Sequence, residues 1–256
     1  MASSGVVLES YLFRGTSEEA LAIWQGWRES FPAKYVCFAN VHMSIEAFND
    51  ERFYKVVTEA NTVCADGQPL VWASQRLLKK KTHRLSGMDM LPQLLQHAEE
   101  NGIRCFFIGG SESAERLTVE QLKVRWPKLV FDTYSPPFGE WNQEEWKKQF
   151  ARINEFDAQW TFVVLGCPKQ ELWMSKACNN VHGVLFGVGG ALPVLLGLQK
   201  RAPQWMQRLA LEWLFRLIQE PRRMWRRYLK TNFQYVNLFM IRLLTGKISN
   251  RIRFRS

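Results

Sequence analysis

A chain of 256 residues with 46% apolar side chains suits one large domain, or one domain with an appendage, and can bury a substantial core. Its net charge of +10 is unevenly placed: from residue 200 onward there are 14 Lys and Arg against two acids, whereas residues 1–199 carry 20 cations and 22 anions. The charge pattern excludes a uniformly basic protein and directs the last quarter of the chain toward a polyanion, whether nucleic acid, anionic lipid or phosphate.

In chain order, the opening "MASSGVVLES" lacks the charged start and apolar run of a signal peptide. Apolar runs predict strands at 34–40, 62–66, 104–110, 128–132, 160–166 and 183–189. Amphipathic stretches predict helices at 43–60, 69–80, 88–101, 113–126, 143–155 and 169–180. Continuous apolar strands alternating with helices imply an α/β fold, a Rossmann-like, mostly parallel sheet with helices on both faces. Cys37, Cys64 and Cys105 fall in the strand runs, and no C-x-x-C occurs among the five cysteines, so buried thiols in a reducing compartment are expected. The uncharged stretch 183–199 contains five glycines and Pro193, which fits a strand, a loop and a helix start better than a membrane span. The tail predicts two helices broken at Pro221.

Polar and glycine residues cluster after the strands, in "NVH", "ADGQP", "GGSES", "GCPKQE" and "GVGG". Ligands of open α/β sheets bind outside those strand ends, where helix N-termini favour phosphate. These loops make Asn40, Gly67, Gly109, Gly110 and Gly189 candidate binding residues. "GGSES" is not a dinucleotide fingerprint, although Asp132 lies about twenty residues beyond Gly110. Asp66 is the candidate catalytic residue: it ends an apolar strand, where partial burial makes a carboxylate a better base. The alternative is that it caps the following helix. Lys169, Gln170 and Glu171 fall in the first turn of a helix, and the Gln170 amide suits hydroxyls or a nucleobase edge. Arg84 suits a phosphate, and Asp89 a helix cap. His42, His83, His97 and His182 show no ligand spacing and no D-x-D occurs, so no metal and no cofactor are expected.

Taken together, "ADGQPLVWA", "RLSGMD", "FFIGG", "LGCPKQE", "GVGG" and "KRAPQWMQRLALEWLFRLIQEPRRMWRR" occur in an order that resembles the WecG/TagA/CpsF glycosyltransferases, over about residues 35–230. The resemblance implies an inverting, metal-independent enzyme that moves a sugar from a UDP-sugar donor onto a polyprenyl-diphosphate-linked acceptor. Such an enzyme would be cytoplasmic and peripheral at the inner face of a bacterial membrane, and of N-acetylmannosaminyl-, N-acetylmannosaminuronyl- or glucosyltransferase type. It also implies that Asp66 is the base, that Asn40, Arg84 and Gln170 lie near substrate, and that Arg216, Arg223 and Arg226 of a C-terminal appendage complete the site. The chain departs from the family pattern at Phe38, His42, Pro136, Pro137 and Pro193, which leaves the donor sugar open.

On these grounds residues 1–199 are expected to form the catalytic domain and 200–256 a basic, membrane-associating appendage. Trp225, Tyr228, Leu229, Phe233, Val236, Met240 and Leu243 recur at helical spacing beside Arg223, Arg226, Arg227 and Lys230, the pattern of a helix lying in a membrane interface. The same stripe also suits packing on the body or on another subunit of a homo-oligomer. A nucleic-acid-binding protein would want such a tail but not Asp66 and "PKQE" at strand ends. An inactive UDP-binding scaffold would keep both.

Overall fold

The computed structural model describes residues 6–245, except for the side chains of residues 223, 224, 226 and 227. The chain begins with α1 (Ser17–Gly26), β1 (Lys34–Ala39), α2 (Val41–Asn49), α3 (Glu51–Thr58), β2 (Thr62–Ala65) and α4 (Gln68–Leu78). It continues through α5 (Gly87–Asn101), β3 (Cys105–Gly109), α6 (Glu112–Arg125), β4 (Phe131–Tyr134), α7 (Gln143–Glu155), β5 (Trp160–Val164) and α8 (Lys169–Ala177). It ends with β6 (Val184–Gly187), α9 (Leu192–Leu195), α10 (Gln204–Arg208), α11 (Glu212–Gln219) and α12 (Pro221–Thr245).

The strands form one parallel sheet in the order β2-β1-β6-β5-β3-β4. Their runs are buried almost throughout because helices cover both faces. At the centre Phe107, Phe162 and Phe186 stack across β3, β5 and β6, with ring centroids 4.9 and 5.5 Å apart. Cys37, Cys64 and Cys105 are buried, free thiols.

Several elements differ from the sequence reading. The expected helix 43–60 is two, because Asp50 leaves the helical conformation and its carboxylate caps α3 through the Arg52 and Phe53 amides. The strand expected at 128–132 begins later, after a turn in which Leu129 N–H bonds Trp126 C=O. Helix α5 starts at Gly87, so Asp89 stands in its first turn and is not its cap. Helix α1 was not expected, although Thr16 and Glu19 form a reciprocal capping box at its start. It buries Trp24 edge-on against Phe186 at 5.2 Å. The tail breaks at Pro221 as expected, with the short α10 as an additional element.

The chain divides into two compact units. One contains Thr16–Cys37 and Gly87–Lys200; the other contains the segment up to Gly15, Phe38–Ser86 and the segment from Arg201 onward. The expected boundary at residue 199 falls beside that last seam, and the helices beyond it pack in the same unit as Phe38–Ser86. There α12 lies on α2 and α4. It buries Tyr228, Thr231 and Tyr235, while Trp225, Leu229, Phe233, Val236, Met240 and Leu243 are exposed on another side. The Tyr235 hydroxyl donates to the Glu9 carboxylate at 2.6 Å, and the other Glu9 oxygen accepts from Val7 N–H at 2.8 Å. Burial raises the Glu9 pKa, against the opposing effect of these bonds. Among the described residues, no helix is long and apolar enough to cross a membrane.

Candidate active site

In the unit containing Phe38–Ser86, β1 and β2 end side by side, and Asp66 N–H donates to Ala39 C=O at 2.9 Å. Beyond β1, Asn40 is the N-cap of α2. Its Oδ1 accepts from Met43 N–H at 3.1 Å, while its Nδ2 donates to Asp66 Oδ2 at 3.4 Å. One side chain therefore starts a helix and orients the candidate base. The N-cap of α4 is Gly67, with no side-chain capping bond. Asp66 is therefore not the cap of that helix, and its carboxylate faces Asn40.

Arg84 joins this pair through the backbone. It bridges Ala65 in parallel, and Leu85 N–H donates to Ala65 C=O at 2.9 Å. Its guanidinium Nη1 reaches the Glu212 carboxylate at 3.1 Å and the Asp66 carbonyl at 3.5 Å, and Nη2 reaches Gln207 Oε1 at 3.2 Å. Gln207 is itself held, donating to Ala202 C=O at 2.7 Å and accepting from Arg201 at 3.1 Å. Burial, then the Asp66 carboxylate, raises the Glu212 pKa; Arg84, Arg216 and Arg201 pull it down. Two carboxylates and three guanidinium groups thus share one polar cluster. Arg216 stands one turn beyond Glu212 in α11. The Arg223 and Arg226 side chains lie outside the described residues. His42 stands in the first turn of α2, its Nδ1 3.6 Å from Glu46.

The sequence reading did not single out Glu212, Gln207 or Arg201. A signal was available: Glu212 is one of only two acids beyond residue 200. A carboxylate in so basic a stretch stands out against its neighbours, and this one faces Arg84.

The other unit holds the "PKQE" and glycine candidates. Gln170 is buried at the start of α8, and its amide is fully engaged: Nε2 donates to Glu171 Oε1 at 2.7 Å and to Gly187 C=O at 3.1 Å, and Oε1 accepts from Gly189 N–H at 3.0 Å. A Cβ at Gly189 would stand 2.5 Å from Gln170 Oε1, so this contact requires glycine there. Gln170 therefore ties α8 to the chain leaving β6. Glu171 is buried, and its pKa is pushed up to about 7 by desolvation, against bonds from Gln170, the backbone and Cys167. Lys169 is exposed, with its ammonium 4.0 Å from the Trp141 ring centre and 3.2 Å from Gly139 C=O. Gly109 has φ +113°, and a Cβ there would stand 2.5 Å from Val164 C=O, so it closes β3 against β5. Gly110, with φ +86°, continues that turn. Asp132 accepts from Arg152 at 3.1 Å and from Thr133 N–H at 2.8 Å, so both of its oxygens are engaged.

A parallel sheet with a carboxylate, an amide and a guanidinium gathered at the ends of its strands is a Rossmann-like α/β arrangement, a class of fold whose ligands bind outside those strand ends. A family model described as "Glycosyl transferase WecG/TagA/CpsF family" matches residues 7–249, and the chain belongs to this family. It is similar to a protein of Staphylococcus aureus (strain MW2) named N-acetylglucosaminyldiphosphoundecaprenol N-acetyl-beta-D-mannosaminyltransferase. The two are 28% identical over 214 residues, which is 83% of this chain and 80% of the relative. The protein of the same name from strain NCTC 8325 / PS 47 matches with the same identity and coverage.

Proposed function

We propose that this protein is an inverting glycosyltransferase that moves a sugar from a UDP-sugar onto a polyprenyl-diphosphate-linked sugar. The observation that carries the reading is the juxtaposition of Asn40, Asp66 and Arg84 within a chain of this family. The relatives' name extends to an acceptor of the GlcNAc-diphosphoundecaprenol kind and to N-acetylmannosaminyl transfer as the first activity to test.

In this reading Asp66, oriented by Asn40, takes the proton of the acceptor hydroxyl. The hydroxyl oxygen attacks the anomeric carbon from the face opposite the leaving UDP, which inverts the configuration. Negative charge grows on the leaving diphosphate, and guanidinium groups are suited to it because their forked donors match phosphate oxygens. Arg84 and Arg216 serve that role, joined by Arg223 and Arg226 on the strength of the family resemblance. Gln170 and Glu171 act from within the fold, by holding the chain beyond β6. The exposed apolar stripe of α12 rests in the headgroup region of the membrane that carries the acceptor.

The test is an assay of several UDP-sugars with a short-chain diphosphate-linked GlcNAc acceptor, with products identified by mass. One donor is expected to add a single sugar of inverted configuration, and activity is expected to survive EDTA. UDP binding without transfer from any donor would make the protein a scaffold. Loss of activity in EDTA with recovery on adding magnesium or manganese would overturn the guanidinium role.

A further inference from the structure

The tail is not the only basic part of its unit. Residues 67–88 hold Arg76, Lys79, Lys80, Lys81 and Arg84 and no acid, although residues 1–199 as a whole carry more acids than bases. On α4, Leu70, Val71, Ala73 and Ser74 are buried, while Trp72, Gln75, Arg76 and Lys79 are exposed. These exposed positions are spaced i, i+3, i+4 and i+7 and line one side of the helix. Lys79 ends α4 in the left-handed conformation, φ 52°, and the chain turns so that Lys80 and Lys81 are exposed as well. The turn is tied back to the helix by a buried hydrogen bond between the Ser74 and Thr82 hydroxyls at 2.8 Å. Three consecutive lysines are thus presented from a fixed loop, beside an indole that is 46% exposed.

We propose that the outer side of α4, with Trp72, Arg76, Lys79, Lys80 and Lys81, is a second contact with anionic lipid headgroups. The protein then lies on a membrane through two packed elements of one unit and not through its C-terminal helix alone. The proposal rests on the reading of α12 as membrane-facing and extends it. Three observations favour a lipid surface. Helix α12 packs against α4, so the basic loop and the apolar stripe belong to one unit. Cations and an indole on the same side suit the headgroup layer, where lysines meet phosphate and tryptophan sits at the interface. A two-fold contact between copies would set these cations against themselves, which disfavours a second chain as the occupant.

The experiment is flotation of the full chain with phosphatidylcholine vesicles, with and without about one-third phosphatidylglycerol. Three proteins are compared: wild type, the triple variant K79Q/K80Q/K81Q, and the α12 variant L229S/F233S. Wild type is expected to float with the anionic vesicles and to dissociate as salt is raised. The triple variant should keep its thermal midpoint and lose about a hundredfold in partitioning, from about fivefold per lysine. The α12 variant should lose binding to both vesicle types. If the triple variant floats like wild type while the α12 variant does not, the α4 contact is overturned and the tail reading stands. If wild type fails to float, both are overturned. Salt-sensitive capture of single-stranded RNA without flotation, or loss of a dimer in the triple variant with flotation unchanged, also overturns the proposal.

Discussion

The Asp66 and Gln170 clusters both stand where strands end, yet they use their polar groups in opposite ways. Asn40, Asp66 and Arg84 are half-buried, and the cluster sets carboxylates against guanidinium groups. Gln170 and Glu171 are buried, and the Gln170 amide is used up on Glu171, Gly187 and Gly189. A half-buried charge cluster can exchange its internal partners for a charged ligand. A buried amide with both hydrogens committed holds backbone in place, and removing it leaves unsatisfied groups behind. Motif residues adjacent in a family pattern need not touch the same thing, and the hydrogen-bond inventory separates those that present from those that support.

The sharpest test of the contrast is Asp66→Asn. Removing a general base typically lowers turnover about 10²- to 10⁴-fold, and donor KM should stay within about twofold because the amide keeps the shape. Near-normal turnover would place the base elsewhere. On the supporting side, Glu171→Gln should alter stability and its pH dependence. Unfolded, this carboxyl ionises near its ordinary 4.5; folded, it keeps its proton to about 7. Between those values the unfolded chain has released a proton that the folded chain retains, so stability falls as pH rises and levels off above 7. The full effect is on the order of 3 kcal/mol. Urea unfolding from pH 4 to 8 should show that decline in wild type and a flatter profile in Glu171→Gln, and identical profiles would remove Glu171 as its cause.

A smaller effect is expected from the Arg84–Glu212 pair. Loss of a charge-assisted hydrogen bond is worth about 1.5–3 kcal/mol, so Arg84→Ala should lower turnover about 10- to 100-fold, and Glu212→Ala somewhat less. Because the two share one contact, the double variant should lie within about threefold of Arg84→Ala alone. Losses that multiply would mean the residues act separately. The smallest change is Asn40→Ala. It removes a helix cap, worth about 1 kcal/mol, and a long 3.4 Å contact to Asp66. A fall in thermal midpoint with less than a tenfold loss of turnover is expected, and a loss matching Asp66→Asn would promote Asn40 to the chemistry itself.

The strands were readable in the sequence because both faces of a parallel sheet are covered, so that an unbroken apolar run such as "RCFFIGG" fits a buried strand and little else. Helix ends were less readable where one polar residue overrides periodicity. Asp50 splits an apolar pattern that continues across it, and the capping box of α1 precedes a helix with only Ala20 and Trp24 buried. In the site, Asp66 was singled out by its position at a strand end and Arg84 as a cation suited to a phosphate, but nothing in the sequence brought the two together. Glu212 was not, since it meets Arg84 across 128 positions of sequence. Nor did the motif reveal that the Gln170 amide is spent internally, because that depends on how closely Gly187 and Gly189 approach it.

The bond between Glu9 and Tyr235 joins positions 226 residues apart within a single packed unit. A ribosome adds about 5–20 residues per second, so a nascent Glu9 waits roughly ten to forty-five seconds for its hydroxyl partner. Meanwhile the surface of α2 and α4 that α12 covers stays open to solvent and to chaperones. The unit with Gly87–Lys200 contains no residue beyond Lys200, so all of its chain is made earlier. The neighbourhood of Asp66 is therefore completed only after residue 212 is made, and a chain stalled before it emerges without the carboxylate that holds Arg84.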